Sequence, residues 1–132
     1  MSETTTPTAP ATSRTVERYV QFWNTTPDEQ RRTGPALFSD DIVQVAPVGV
    51  LAGLEALATF TEQFAAAGGP YRFRIRTAPE IHHGRARVPW QIDRDGEVFA
   101  EGTDVLVIGH DGRITSITTF LDRAPAGFDP QH

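Results

Sequence analysis

The sequence predicts an α+β fold in which a cone-shaped, curved antiparallel sheet packs against three helices from the N-terminal half of the chain. Two observations carry this. Large apolar residues recur at helical spacing up to Gly68-Gly69-Pro70. From Tyr71 onward the period changes to two, with Tyr71, Phe73 and Ile75 alternating with Arg72, Arg74 and Arg76. A chain that places helices first and strands last lays a helical layer over one face of a sheet.

Each element follows in order. Val16, Tyr19, Val20 and Trp23 stand at i, i+3, i+4 and i+7, the apolar stripe of a first helix that starts after Ser13 and ends near Asn24. Thr26-Pro27-Asp28-Glu29 supplies an N-cap, a first-turn proline and a capping-box glutamate for a second helix, within which Gly34-Pro35 predicts a break or kink. A third helix follows Gly53, with Leu54, Leu57, Phe60 and Phe64 on its buried side. Between these two helices, "IVQVAPVGVLAG" predicts a short edge strand, because its proline fits an edge or bulge better than a centre. After the strand at Tyr71, three more are expected at residues 85–93, 97–109 and 113–121. Turns at Asp95-Gly96 and Asp111-Gly112 join them into an antiparallel meander. Residues 1–12, almost without large apolar side chains, are expected to be a disordered arm. Residues 13–122 form the domain, and 123–132, with two prolines and a glycine, a C-terminal tail.

Composition narrows the function. Lys and Arg total 12 against 17 Asp and Glu, a net charge of -5. Nucleic acid and anionic membrane are therefore not expected as partners, since phosphate binding needs a clustered positive field. The absence of cysteine excludes disulfides, thiolate nucleophiles and cysteine-ligated metals. No run approaches the ~18 apolar residues of a membrane span, and "MSETTTPTAPATS" lacks the features of a secretory signal, so the expected location is cytoplasmic. No phosphate loop, nucleophile elbow, zinc-site spacing or dinucleotide fingerprint is present, and no metal or cofactor is expected.

One carboxylate stands out. In "AEGTDVLVIG", read with period two, Val98, Ala100, Gly102, Asp104, Leu106 and Ile108 share a face, and Asp104 is the group among them that ionises. Helices over that face would enclose a cone with Asp104 on its wall. It is either a structural carboxylate bonded to a neighbouring strand, or a functional one whose pKa an apolar wall raises until it donates near neutrality. Tyr19 is a core aromatic unless it acts together with Asp104. His82-His83, before Gly84 where two strands reverse, reads as a pair of turn histidines or as a general base pointing into the cone. Adjacent strand residues face opposite ways, so the pair is not a natural metal site.

Over Arg14 to Asp122 the chain resembles the nuclear transport factor 2-like (NTF2-like) superfamily, and within it the SnoaL-like and ketosteroid isomerase-like branch. The resemblance is carried by "ERYVQFWNTTPDEQ", "FSDDIVQVAPVGVLAGLEAL" and "EGTDVLVIGHDGRITSITTFLD". It implies the cystatin-like roll, a fold that hosts enzymes, binding proteins and interaction modules alike. By comparison with ketosteroid isomerases, Tyr19 falls at the oxyanion-hole tyrosine and Asp104 at the protonated aspartic acid beside it, two donors to a developing oxyanion. The general base of those enzymes is an Asp directly before Pro-Val-Gly. Here that slot holds Ala46, and losing a base forfeits roughly 10²- to 10⁴-fold in rate. The limonene-epoxide hydrolase type needs an Arg-x-Asp spacing that this chain lacks, and Thr119 stands where its last strand has an Asp. SnoaL-like cyclases use an acid/base carboxylate in the cavity, a role open to Asp104 if it ionises.

The resemblance thus implies a small, largely apolar ligand carrying a carbonyl or phenolic oxygen, held by Tyr19 and Asp104. Trp23, Ala46, Trp90, Leu106 and Phe120 would shape the pocket. If the chain is an enzyme, proton transfer in an isomerisation, cyclisation or dehydration is expected, with His83 or Asp104 as acid/base. The alternative is a non-catalytic binder, or an interaction module that associates through an outer sheet face bearing Arg72, Arg74, Arg76, Thr115 and Thr119. A homodimer is expected on either reading.

Overall fold

The computed structural model describes residues 11–127. Most of the arm expected at 1–12 and half of the expected tail fall outside those residues. Residues 11 and 12 already belong to the first helix, and Arg123 ends the last strand. The elements are α1 (Ala11–Trp23), α2 (Pro27–Leu37), β1 (Phe38–Ala46), β2 (Gly49–Ala52), α3 (Leu54–Gly68), β3 (Arg72–Ile75), β4 (Glu80–His82), β5 (Arg85–Arg94), β6 (Glu97–Ile108) and β7 (Ile114–Arg123).

Thr26 caps α2: its hydroxyl accepts the Glu29 N–H at 3.2 Å, and Pro27 occupies the first turn, where its missing donor costs nothing. The helix runs through Gly34-Pro35 without the expected break. Gly34 serves packing instead, because a Cβ there would meet Leu54 Cδ1 at 2.4 Å, so the side chain of α3 lies directly on the glycine. Gln30, fully buried, binds the three helices together: its amide donates to Phe22 O at 2.8 Å and to Thr61 Oγ1 at 2.9 Å.

The sheet is open and its strand order is β2-β1-β7-β6-β5-β3, with β4 also paired to β5. It is mixed rather than wholly antiparallel, because β1 and β7 pair in parallel. The segment read as a single short edge strand is two strands. β1 lies between β2 and β7, and β2 takes the edge. Pro47, which argued for an edge, sits in the two-residue turn between the paired Ala46 and Gly49, where no ladder donor is required.

Asp95 and Gly96, with φ of 54° and 77°, make the predicted two-residue hairpin between Arg94 and Glu97. The same geometry recurs at His83 and Gly84, φ 48° and 73°, where it joins the unpredicted β4 to β5. Asn24 closes the outer edge of β3. Its side-chain amide donates to Phe73 O at 2.6 Å and accepts Phe73 N–H at 2.8 Å, imitating a neighbouring strand. Tyr19, Phe38, Ile42, Leu57, Leu106 and Ile117 fill the core between helices and sheet.

Candidate functional site

A cavity of about 140 Å³ lies between the helices and the sheet. A space of roughly 150 Å³ accommodates a benzene-sized ring. Trp23 of α1, Phe60 and Phe64 of α3, and Phe73, Trp90 and Phe99 of the strands make it strongly aromatic. Gln44, Asp104 and Thr119 form a polar strip across three strands. Val48, 57% exposed, also lines the cavity and brings it to the surface.

Asp104 is 2% exposed and accepts three hydrogen bonds. Tyr19 Oη donates to Oδ2 at 2.5 Å, while Trp90 Nε1 and Thr119 Oγ1 donate to Oδ1 at 2.8 and 2.7 Å. Gln44 extends the strip, its Nε2 donating to Thr119 Oγ1 at 2.9 Å. Burial raises the Asp104 pKa to about 6, against the opposing pull of the donors Tyr19, Thr119 and Trp90. At pH 7 the carboxylate is therefore mostly ionised and accepts hydrogen bonds, whereas the resemblance to ketosteroid isomerases implied a neutral donor. Burial and then the neighbouring Asp104 charge push the Tyr19 phenol well above its ordinary value, so it stays a neutral donor.

Tyr19 lies behind Asp104, fully buried and away from the cavity wall, with its hydroxyl proton committed to Oδ2. It holds the carboxylate rather than standing beside it as a second donor to a ligand. Trp23, Ala46 and Trp90 line the cavity as expected. Leu106 shares the inward face of β6 but is wholly buried in the core, away from the cavity wall.

Phe120 points the other way, 57% exposed on the outer face, and its neighbours Thr119 and Leu121 line the cavity. Thr119, expected outside, is thus an inner residue. The cause is strand phase: a register shift opposite Val107 and Ile108 offsets β7 against its neighbour. His83 is exposed on the β4–β5 turn, in the left-handed region and away from the cavity wall, so it does not point into the cone.

Gln44 is the wall residue that sequence reasoning missed most consequentially. The signal was present, since Ile42, Gln44 and Ala46 alternate on one face as Ala100, Gly102 and Asp104 do. Tyr71 is a second omission; it lines the cavity and its hydroxyl donates to Trp23 O at 2.6 Å. Among the described residues, no group of three or more His, Cys, Asp or Glu is placed to hold a metal. No described helix is long and apolar enough to cross a membrane.

Three helices over an open curved sheet, with a carboxylate in an aromatic cavity, define an NTF2-like domain. Residues 16–117 match the family of SnoaL-like domains, and the chain belongs to it. A provisionally named isomerase of the SnoaL-like family from Agrobacterium tumefaciens str. C58 is similar in structure, with a TM-score of 0.78 and 25% identity over 85% of this chain and 97% of that one. An NTF2-like protein of unknown function from Cytophaga hutchinsonii shares the fold at a TM-score of 0.66 and 15% identity, covering 89% of this chain and 95% of its own. A provisionally named polyketide cyclase from Sinorhizobium meliloti does so at 0.65 and 15%, covering 84% and 99%. No curated protein matches the chain by sequence.

Proposed function

We propose that the chain binds a small, largely apolar organic molecule bearing a carbonyl or phenolic oxygen, and that Asp104 exchanges a proton with it. The observation that carries this reading is a carboxylate with a pKa of about 6 on the wall of an otherwise aromatic cavity. A group poised there both takes and returns a proton near neutrality. Three of its roughly four lone-pair sites are occupied, which leaves one for a ligand. With Ala46 in the usual base slot, Asp104 takes the proton from a carbon or oxygen of the ligand and returns it to another atom. Such a shuttle suffices for isomerisation, cyclisation or dehydration. Tyr19 acts as a positioning residue. The provisional names of the Agrobacterium and Sinorhizobium proteins belong to the same range of chemistry.

Titration with 4-methylphenol, followed by the fluorescence of Trp23 and Trp90, tests the reading. Saturable binding by the folded protein is expected, weakened about tenfold in Asp104→Asn, the scale of a hydrogen bond to a charged group. A folded protein that shows no saturable binding would overturn it.

The outer sheet face supports association as a second property. Val45 and Val50 are cross-strand partners and, with Phe120, are exposed on this face at 49, 65 and 57%. Such an apolar patch suits a second copy of the chain, and we infer a homodimer through it. The arginines once expected to serve this face are partly neutralised within the sheet, Arg74 by Asp93 at 2.7 Å and Arg76 by Asp122 at 2.8 Å.

A further inference from the structure

Phe99 enters the cavity through a break in the pairing of β5 and β6. Ile92 pairs with Ala100 and Asp93 with Val98, so Phe99 is an extra residue with no partner on β5. A bulge of this kind re-aims the side chains around it. Strict alternation would put Phe99 on the outer face, because Ala100 and Asp104 face the cavity. Instead Phe99 and Ala100, adjacent in sequence, both line it, and Val98, which period two groups with Ala100, stays off the wall.

The re-aimed ring is held from outside the cavity. The guanidinium of Arg94 lies 3.9 Å from the ring centroid of Phe64 and 4.8 Å from that of Phe99, and the two rings meet edge to face with centroids 5.6 Å apart. Arg94 also donates to Phe64 O on α3. The helix makes room for it at Gly68, where a Cβ would run into the guanidinium. Arg94 is not part of the cavity wall, so it braces the rings rather than meeting a ligand.

Phe99 and Asp104 are the first and last residues that β6 gives the wall, five residues or about 16 Å apart along the strand. Resting on the ligand-binding reading above, we propose that Phe99 sets the length of the ligand. A molecule whose oxygen meets Asp104 has its apolar body stopped at the Phe64–Phe99 pair, which Arg94 and α3 keep from swinging aside. The cavity therefore takes one-ring phenols and carbonyl compounds and turns away those with a second ring in line. Its volume of about 140 Å³, the space for one ring, agrees with this limit.

Calorimetry with 4-methylphenol and 4-phenylphenol, which carry the same hydroxyl on bodies of one and two rings, tests the limit. The wild type is expected to bind 4-methylphenol more tightly, although 4-phenylphenol is the more apolar. Phe99→Ala should shift the affinity ratio toward 4-phenylphenol by about 10- to 200-fold, the scale on which an apolar pocket discriminates size. Phe99→Leu should shift it the same way by a smaller factor. Val98→Ala, next to Phe99 but off the wall, should keep the wild-type ratio. A wild type that prefers 4-phenylphenol, or a ratio unmoved by both substitutions of Phe99, overturns the length limit while leaving the ligand site intact. An equal shift in Val98→Ala also overturns it, because a loosened strand rather than the ring would then be the cause. If the wild type binds neither phenol, the ligand-binding reading itself falls. The wild-type preference is a test whether or not a variant folds.

Discussion

Trp90 reaches Asp104 across a glycine. The indole lies over Gly102, its cross-strand partner, and donates from Nε1 to Asp104 Oδ1 at 2.8 Å, two residues further along the same face of β6. A Cβ at Gly102 would stand 2.2 Å from Trp90 Cζ2 and 2.6 Å from Phe120 O. The strand therefore holds its carboxylate partly through a side chain it leaves out.

Gly102→Ala should cost about 1–3 kcal/mol of stability, the usual penalty for overpacking, and should displace Trp90 from Asp104. Urea unfolding with tryptophan fluorescence reads both effects. Wild-type stability with an unchanged emission maximum would contradict the packing described.

Asp104 should make the protein more stable as pH falls. Its folded pKa is raised from 3.8 to about 6, so the folded chain holds the proton more tightly than the unfolded chain. That contribution is fully present below about pH 4 and is lost as pH rises through 6, amounting to about 3 kcal/mol in all. Asn at this position keeps the network, since its Oδ1 accepts from Trp90 and Thr119 and its amide donates to the Tyr19 hydroxyl. The stability of Asp104→Asn minus that of the wild type should therefore rise between pH 4 and 7. A difference that stays flat across this range would contradict a raised pKa.

Tyr19→Phe removes the donor to Oδ2 and should push the Asp104 pKa above its present value of about 6. The loss of a buried hydrogen bond to a charged group should also cost about 1.5–3 kcal/mol. Carbon-13 NMR of the Asp104 carboxyl follows the titration directly. An unchanged midpoint would mean that Tyr19 does not tune it.

Val50→Lys and Phe120→Glu place charge on the apolar patch of the outer sheet face. Sedimentation should show a dimer for the wild type and a monomer for the double variant, with the affinity for 4-methylphenol unaltered, because the cavity lies on the opposite face. A wild-type monomer would contradict association through this surface.

Local signals made the helices, the Asp95-Gly96 hairpin and the inward position of Asp104 legible, because each depends on neighbours within a few residues. The two-strand reading of 38–52 was hidden because Pro47 weighs equally as an edge residue and as a turn residue. Parallel pairing of β1 with β7 joins segments 75 residues apart, as in the Gln44–Thr119 hydrogen bond, and no local period encodes it. Phe120 was misplaced for a related reason: a register shift reverses which alternate residues face inward, and it leaves no mark in a period-two pattern. Tyr19 was legible as the partner of Asp104. Its place behind the carboxylate rather than beside it depends on helix placement, which periodicity leaves open.

The most direct test of the account is the pH dependence of 4-methylphenol binding, since this phenol, with a pKa near 10, stays neutral across the range. If Asp104 meets the ligand as an ionised acceptor, affinity should rise from pH 5 to 7 with a midpoint near 6, and Asp104→Asn should show a flat, weaker profile. Affinity that falls over this range would mean that the protonated acid is the binding form, and a profile unchanged in Asp104→Asn would remove Asp104 from the site.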